Sequence, residues 1–272
     1  MKIFNTINEF SLAKENLTNL TFVPTMGNLH AGHTSLIDFA KETGNIVIST
    51  IYVNKLQFND INDFNNYPKT LNNDIKLLED HGCDYLLIPD KSILENIASI
   101  KAPTKSQKLC GKNRPGHFDG VLTILKKLFD IIEPKIVVFG MKDYQQFIIV
   151  KDFINNNNLD INIIGLKTIR ETSGLALSSR NNLLSTKNKN LASILYQTLK
   201  DIETNKVSIC PDLLNLKIDY LNSCGFKVDY LTSCDEESLE ECFDIHNKNL
   251  LLAVAASIGG VRLIDNIVLT KL

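Results

Sequence analysis

Short apolar runs alternate with longer stretches whose apolar positions recur every three or four residues along the first part of the chain. "LTFVPT" (20–25) is an apolar run closed by a proline, the pattern of a buried strand. In "GHTSLIDFAKETG" (32–44), Leu36, Ile37 and Ala40 share one helical face and Gly44 supplies a C-terminal stop. "NIVISTIYVN" (45–54), rich in β-branched residues, predicts a second strand. "TLNNDIKLLEDHG" (70–82) sets Leu71, Ile75 and Leu78 on one helical face, and "CDYLLIP" (83–89) follows as a third strand. "GVLTILKKLFDIIEP" (120–134) predicts a helix and "KIVVFG" (135–140) a fourth strand. Asp143 then stands where a cap would precede the helix "YQQFIIVKDFINN" (144–156), and "INIIGL" (161–166) closes the series as a strand.

Strands that are apolar throughout and alternate with helices predict a parallel sheet covered on both faces. Ligands of such sheets sit beyond the carboxyl ends of the strands. The unusual residues fall there: His30 and His33 after the first strand, Asn54 and Gln57 after the second, Gly140 to Asp143 after the fourth. From about residue 174 the pattern changes to helical stretches, "KNLASILYQTLKDIE" and "CPDLLNLKIDYLNSCG", followed by strand-like ones, "FKVDYLTS" and "NLLLAVAASIGGVRLIDNIVLT". The expected organisation is an α/β domain over 1–173 and a smaller α+β domain over 174–272. The acidic "DEESLEECFD" (235–244) reads as a solvated helix face.

Composition narrows the function classes. With 44% hydrophobic and 22% charged residues, 272 residues fit a globular protein with a full core. A formal net charge of −2 gives no electrostatic reason to expect nucleic acid or an anionic membrane as partner. Any anion site must be local, built from a few placed cations and amides. The N-terminal stretch has acidic residues in place of a signal peptide's apolar core, and no apolar run reaches the roughly 18 residues of a membrane span. The six cysteines form no C-x-x-C pair, which favours free thiols in a reducing cytoplasm.

Three segments carry candidate chemistry. In "MGNLHAGH" (26–33), His30 and His33 lie at i, i+3, so both face one side of a turn entering a helix. Gly27 and Gly32 permit close approach of backbone, and the helix start offers free amides and the positive end of a dipole. Together these suit a triphosphate; a buried histidine beside a surface one is the structural alternative, and no third ligand marks a metal site. In "FGMKDYQQ" (139–146), Lys142 can reach a phosphate as a point charge, while Asp143 can cap the helix, bind a ribose, or do both. In "GLALSSRN" (174–181), two hydroxyls and a guanidinium adjoin, a set suited to phosphate. "NRPGHFDG" (113–120) is by itself only a polar turn flanked by Arg114 and His117.

In this order the segments "VPTMGNLHAGH", "STIYVNKLQF", "YPKTL", "RPGHFDGV", "FGMKDYQQ", "GLALSSRN" and "RLIDN" resemble the pantothenate synthetase (pantoate–β-alanine ligase) family. That family lies within the wider adenylate-forming and nucleotidyltransferase group marked by H-x-G-H. The matching blocks run from residue 23 to residue 266, nearly the whole chain. The resemblance implies a Rossmann-like N-terminal domain with a smaller C-terminal lid domain, a homodimer, and a cytoplasmic ligase using ATP with Mg²⁺. The implied reaction joins (R)-pantoate to β-alanine through pantoyl adenylate, releasing pyrophosphate and AMP.

The resemblance also implies residue roles. Met26, Gly27, Asn28, Leu29, His30, Ala31, Gly32 and His33 match the segment that wraps ATP, with His33 at the position usually assigned as proton donor. Lys142, Ser178, Ser179 and Arg180 match further phosphate contacts, and with the two histidines they form the implied catalytic set. Gly140 and Asp143 match the ribose side and Ile169 a backbone contact to adenine, while Met141 and Leu177 fall at further implied ATP-binding positions. Gln57 and Gln146 match the amides that hold pantoate, supported by Asn54, with Arg114 nearby. Neutral amides suit a substrate whose nucleophilic carboxylate must keep its charge.

The chain departs from the family pattern at Ala31, Lys55 and Met141, where acidic, proline and glutamate residues are common, and in a short segment over 96–113. Another H-x-G-H nucleotidyltransferase, a small aminoacyl-tRNA synthetase relative and a non-catalytic nucleotide-binding protein are the competing readings. "LSSRN" with the paired glutamines speaks against the first, and the near-neutral charge against the second. The presence of His33, Lys142 and Arg180 speaks against the third.

Overall fold

The computed structural model describes residues 1–15 and 17–272. The chain divides into two compact units, 1–141 with 146–167, and 142–145 with 168–272. The strands of the first are β1 (Lys2–Phe4), β2 (Leu20–Thr25), β3 (Ile46–Ile51), β4 (Tyr85–Leu87), β5 (Ile136–Gly140) and β6 (Asn162–Leu166). Its helical segments are α1 (Ile7–Lys14), α2 (Ala31–Glu42), α3 (Ile61–Asn65), α4 (Leu71–Asp80), α5 (Leu109–Lys112), α6 (His117–Ile132) and most of α7 (Tyr144–Asn156). All pairings in the sheet are parallel, in the order β1-β4-β3-β2-β5-β6.

Side chains alternate across this sheet as the pleat requires. Phe22, Ile48, Leu87 and Val137 point into a core with α1, α6 and α7, through Phe10, Leu122, Phe129 and Ile149. Val23, Val47, Leu86 and Val138, each one residue away, pack on Leu36, Ile37 and Ala40 of α2 and Leu78 of α4. Both faces are covered, which is why the strands read as continuous apolar runs. The α/β expectation, a Rossmann-like parallel sheet followed by a smaller unit, matches this architecture. The sequence pattern misses β1 and α1, because a three-residue edge strand is too short to carry a period.

Connections diverge at β2, which bonds β3 on one side and β5 on the other. A crevice opens at the carboxyl ends of two such strands, because the chain leaves them in opposite directions. In this unit the segment following β2 stands at such a point.

In the second unit β7 (Lys227–Asp235), β8 (Leu250–Ile258) and β9 (Val261–Leu269) form an antiparallel sheet in that order. Helices α8 (Thr186–Ala192), α9 (Ile194–Thr204) and α10 (Pro211–Ser223) accompany it. Leu195, Leu199, Leu214 and Leu221 form one core with Leu252, Val254, Ala256 and Leu263. Gly259 and Gly260, with φ of +58° and +79°, turn β8 into β9. The acidic stretch 235–244 is a turn and a short bridge rather than the expected helix. Asp235 Oδ1 accepts the amides of Glu237 and Ser238 (3.2 and 2.7 Å), a local alternative to helical bonding. Among the described residues no helix is long and apolar enough to cross a membrane.

Two outcomes follow from this packing. Over Leu56 and Gln57 the chain of α6 passes so closely that a Cβ on Gly120 would stand 2.2 Å from the Leu56 carbonyl oxygen. Gly120→Ala is therefore expected to lower unfolding free energy by about 1–3 kcal/mol, although helix propensity alone favours alanine by about 1 kcal/mol. A denaturant midpoint above wild type would refute the close approach. At Asp235, the Ser238 amide is the main group holding the carboxyl down at about 2, helped by the Ser238 hydroxyl, Lys248 and the Glu237 amide, against its partial burial. The unfolded carboxyl titrates near about 4, so this contribution is present above that pH and is lost as pH falls toward the folded value. Asp235→Asn should flatten that acid limb in pH-dependent melts; an unchanged limb would sink the assignment.

Candidate active site

The segment after β2 cannot run straight into a helix. Gly27 and Asn28 have φ of +80° and +51°, so the chain makes a left-handed excursion that only glycine and, less readily, asparagine tolerate. The amides it exposes are met from 45 residues away or more. Asp74, only 1% exposed on α4, accepts the Asn28 N–H on Oδ2 (3.0 Å) and the Leu29 N–H on Oδ1 (2.8 Å). The Thr70 hydroxyl adds a third bond to Oδ1 at 3.0 Å, and the Thr25 hydroxyl accepts the Gly27 N–H at 3.3 Å. Sequence reasoning misses Asp74, yet a signal is present: it lies on the apolar face of its helix with Leu71, Ile75 and Leu78. An acid at such a position must be bonded.

His30 is the N-cap of α2 and the two histidines cap it reciprocally. His30 Nδ1 accepts the Gly32 N–H (3.1 Å) and His33 Nδ1 accepts the His30 N–H (3.3 Å). The His33 amide bonds the His30 carbonyl at 2.7 Å. Several amides expected to stand free for a ligand are thus already used inside the loop, and Gly32 lies within the first helical turn rather than in a turn of its own. What the arrangement presents instead is imidazole. An Nδ1 that accepts a hydrogen bond carries no proton, so each ring bears its proton on Nε2 and is a donor there. The rings lie 4.1 Å apart, centroid to centroid, and are half-buried.

Beyond β3, Asn54 is 3% exposed and all of its side chain is engaged. Its Oδ1 accepts the Leu56 N–H, while Nδ2 donates to Gln57 Oε1 and to the Gly120 carbonyl, each at 3.0 Å. Gln57 Nε2 lies 3.0 Å from Met26 Sδ, which ties the glutamine to the first residue of the histidine loop. Arg114 and His117 both clasp the Gln57 carbonyl, at 3.2 and 2.7 Å. Arg114 Nη1 also lies 3.2 Å from His117 Nε2, and since a guanidinium only donates, that nitrogen is the acceptor and His117 is neutral. Arg114, expected near pantoate, is thus bonded to the backbone of Gln57, the residue expected to hold that substrate. The sequence marks His117 only as flanking a turn. Gln146 is half-buried in the first turns of α7, and Gly140 ends β5 with Met141 next in the chain.

In the second unit Lys142 keeps a largely covered side chain, with Nζ 3.9 Å from Asp143 Oδ2. Asp143 sits inside a short helical turn, Met141–Asp143, directly before α7. Arg170 and Ala176 pair as an isolated bridge and the Leu177 amide bonds the Ile169 carbonyl at 3.0 Å, forming a hairpin that delivers Ser178. Ile169 is exposed. Ser178 caps the turn Ser179–Leu183, its hydroxyl accepting the Arg180 N–H at 3.3 Å, and Asn181 Nδ2 anchors that turn to the Ala176 carbonyl at 3.0 Å. Ser178, Ser179 and Arg180 are all half-buried.

A family model described as pantoate–β-alanine ligase matches residues 2–268. A pantothenate synthetase of Marinomonas sp. is 40% identical over 279 aligned residues, covering 98% of this chain and 99% of the relative. One from Neisseria meningitidis serogroup B is 39% identical, with 98% of each chain covered. Among solved structures, pantothenate synthetase from Thermus thermophilus superposes with a TM-score of 0.90 at 32% identity, over 99% of this chain and 100% of that one. Pantoate–β-alanine ligase from Francisella tularensis, solved with β,γ ATP and β-alanine, gives 0.83 at 36% identity, over 98% and 97%.

The role of Asp74 has a direct check. Asp74→Asn replaces one acceptor with a donor facing a backbone N–H, so unfolding free energy should fall by about 1–3 kcal/mol. Hydrogen exchange at the Asn28 and Leu29 amides should quicken. Unchanged melting with unchanged protection of those amides would show that the carboxylate does not hold the loop.

Proposed function

The chain belongs to the pantoate–β-alanine ligase family, and from that premise we propose how its residues carry out the ATP-dependent formation of pantothenate. The observation that carries the reading is the extent of the family match, residues 2–268, which takes in every segment discussed above. Pantoate attacks first: its carboxylate oxygen bonds the α-phosphorus of ATP as the bond to the β,γ-pyrophosphate breaks. The β-alanine amine then attacks the acyl carbon of pantoyl adenylate, AMP departs with the bonding pair, and the amine gives up a proton to form the amide.

A carboxylate is ionised at neutral pH, so the first step needs no base. It needs donors aimed at developing phosphate charge and a rigid hold on both reactants. His30 and His33 serve as Nε2–H donors to phosphate oxygens. Because Nδ1 of each ring is occupied as an acceptor, the neutral ring stabilises charge by hydrogen bonding rather than by releasing a proton. Met26 to His33 line the ATP, with Asp74 keeping their backbone in shape. Gln57 holds pantoate through its amide, whose orientation Asn54, Arg114 and His117 set, and Gln146 is its counterpart.

Lys142, Ser178, Ser179 and Arg180 supply further phosphate contacts, Gly140 and Asp143 the ribose side, Ile169 a backbone contact to adenine, and Met141 and Leu177 further ATP contacts. No group of three or more His, Cys, Asp or Glu side chains able to hold an ion occurs among the described residues. We therefore assign Mg²⁺ to the ATP itself, where phosphate oxygens and water supply most of its ligands. A cytoplasmic homodimer completes the reading, carried by the family resemblance.

Pyrophosphate exchange into ATP tests the reaction: exchange should require pantoate and proceed without β-alanine. Exchange indifferent to pantoate, or none, would overturn the assignment. His33→Ala should lower the exchange rate roughly 10²–10³-fold while lost capping costs only about 1 kcal/mol of stability. A variant that unfolds, or one that exchanges normally, would make His33 a structural residue.

A further inference from the structure

Two polar residues of β9, in the "RLIDN" block, have no part in the chemistry above. Asp265 and Asn266 are 5% and 9% exposed within a strand, a place where β-branched or aromatic side chains are favoured. Burying such groups costs free energy unless each is bonded, so their partners should explain them. Asp265 receives Arg170 in a two-point pair, Nη1 to Oδ2 at 2.6 Å and Nη2 to Oδ1 at 2.8 Å. Oδ1 also accepts the Asn266 N–H at 2.8 Å. Arg170 reaches the Gly174 and Asn266 carbonyls at 3.1 and 3.3 Å, and its guanidinium lies 3.6 Å over the Tyr196 ring. From the end of this rigid group, Asn266 Nδ2 donates to the Lys142 carbonyl at 2.8 Å, across 124 residues of chain.

We propose that Asn266 is a positioning residue for Lys142, with Arg170 and Asp265 as its support. The bond fixes the peptide plane at the carboxyl side of Lys142, and with it the direction in which the lysine side chain leaves the backbone. The same arginine pairs through its backbone with Ala176, two residues before Ser178. One ion pair, half-buried at Arg170 and buried at Asp265, therefore ties both segments of this unit that are read as phosphate contacts to β9. The functional consequence rests on the ligase reading; the bond itself does not.

Two measurements separate those. In Asn266→Ala, hydrogen exchange followed by mass spectrometry should speed up over residues 142–145 while the rest of the second unit stays protected. This readout needs no activity and would stand even if wild-type protein failed to exchange pyrophosphate. For the ligase, Asn266→Ala should lower the rate of pantoate-dependent exchange roughly tenfold with the KM for pantoate unchanged. The decisive arm is the double variant: once Lys142→Ala has removed the side chain, adding Asn266→Ala should cost nothing further. Asn266→Asp, which keeps the shape but loses the donor, should show the same loss as Asn266→Ala. Protection over 142–145 unchanged, losses that add in the double variant, an Asn266→Asp protein that behaves as wild type, or unfolding of both variants would each overturn the proposal.

Discussion

Backbone amides at the end of a buried parallel strand need acceptors, and after β2 the sheet can no longer supply them. In this chain the acceptor is a carboxylate on a helix far along the sequence. Asp74 takes the amides of Asn28 and Leu29 while the chain passes through two left-handed residues. Without such a partner that excursion would leave buried N–H groups unbonded, a cost comparable to a sizeable part of a domain's stability. With it, the loop arrives at His30 in the extended conformation that an N-cap requires. The start of α2, and the place of both histidines, follow from that one carboxylate.

The histidines that follow are fixed to each other by hydrogen bonds. Reciprocal capping uses Nδ1 of each ring as an acceptor, which places the remaining proton on Nε2. The pair thereby commits its basic nitrogens to the fold, and in the proposed mechanism the Nε2–H groups are the donors. This suits adenylate formation from an ionised carboxylate, where charge on phosphate oxygens has to be met and no proton needs to be abstracted.

A common device recurs at the other polar residues. Gln57 is oriented at its side chain by Asn54 and at its carbonyl by His117 and Arg114. Lys142 is held at its carbonyl by Asn266, itself braced by Arg170 and Asp265. In each case a polar side chain bonds the backbone carbonyl of a residue assigned a role in the proposed mechanism, so its direction is set by the fold. Such preorganisation is where a rigid scaffold contributes most to a reaction that requires little bond-making by the protein.

By itself the sequence determined the layers and which unusual residues stand beyond the strand ends. The periods of two and of three to four residues are local properties, so strands such as β2 and β5 and helices such as α2, α4 and α6 were legible, as were the unusual residues beyond strand ends. β1 escaped because three residues carry no period, and the turn at 235–244 read as a helix because Asp235 offers amides a competing partner that no period records. Tertiary structure alone decided how the chemical residues are held. Asp74 and Asn28 are 46 residues apart, Arg114 and Gln57 are 57 apart, and Asn266 and Lys142 are 124 apart. Hydrogen bonds over such separations depend on which strands are neighbours and how closely helices cross them, and a linear pattern of apolar and polar positions carries no distance across space.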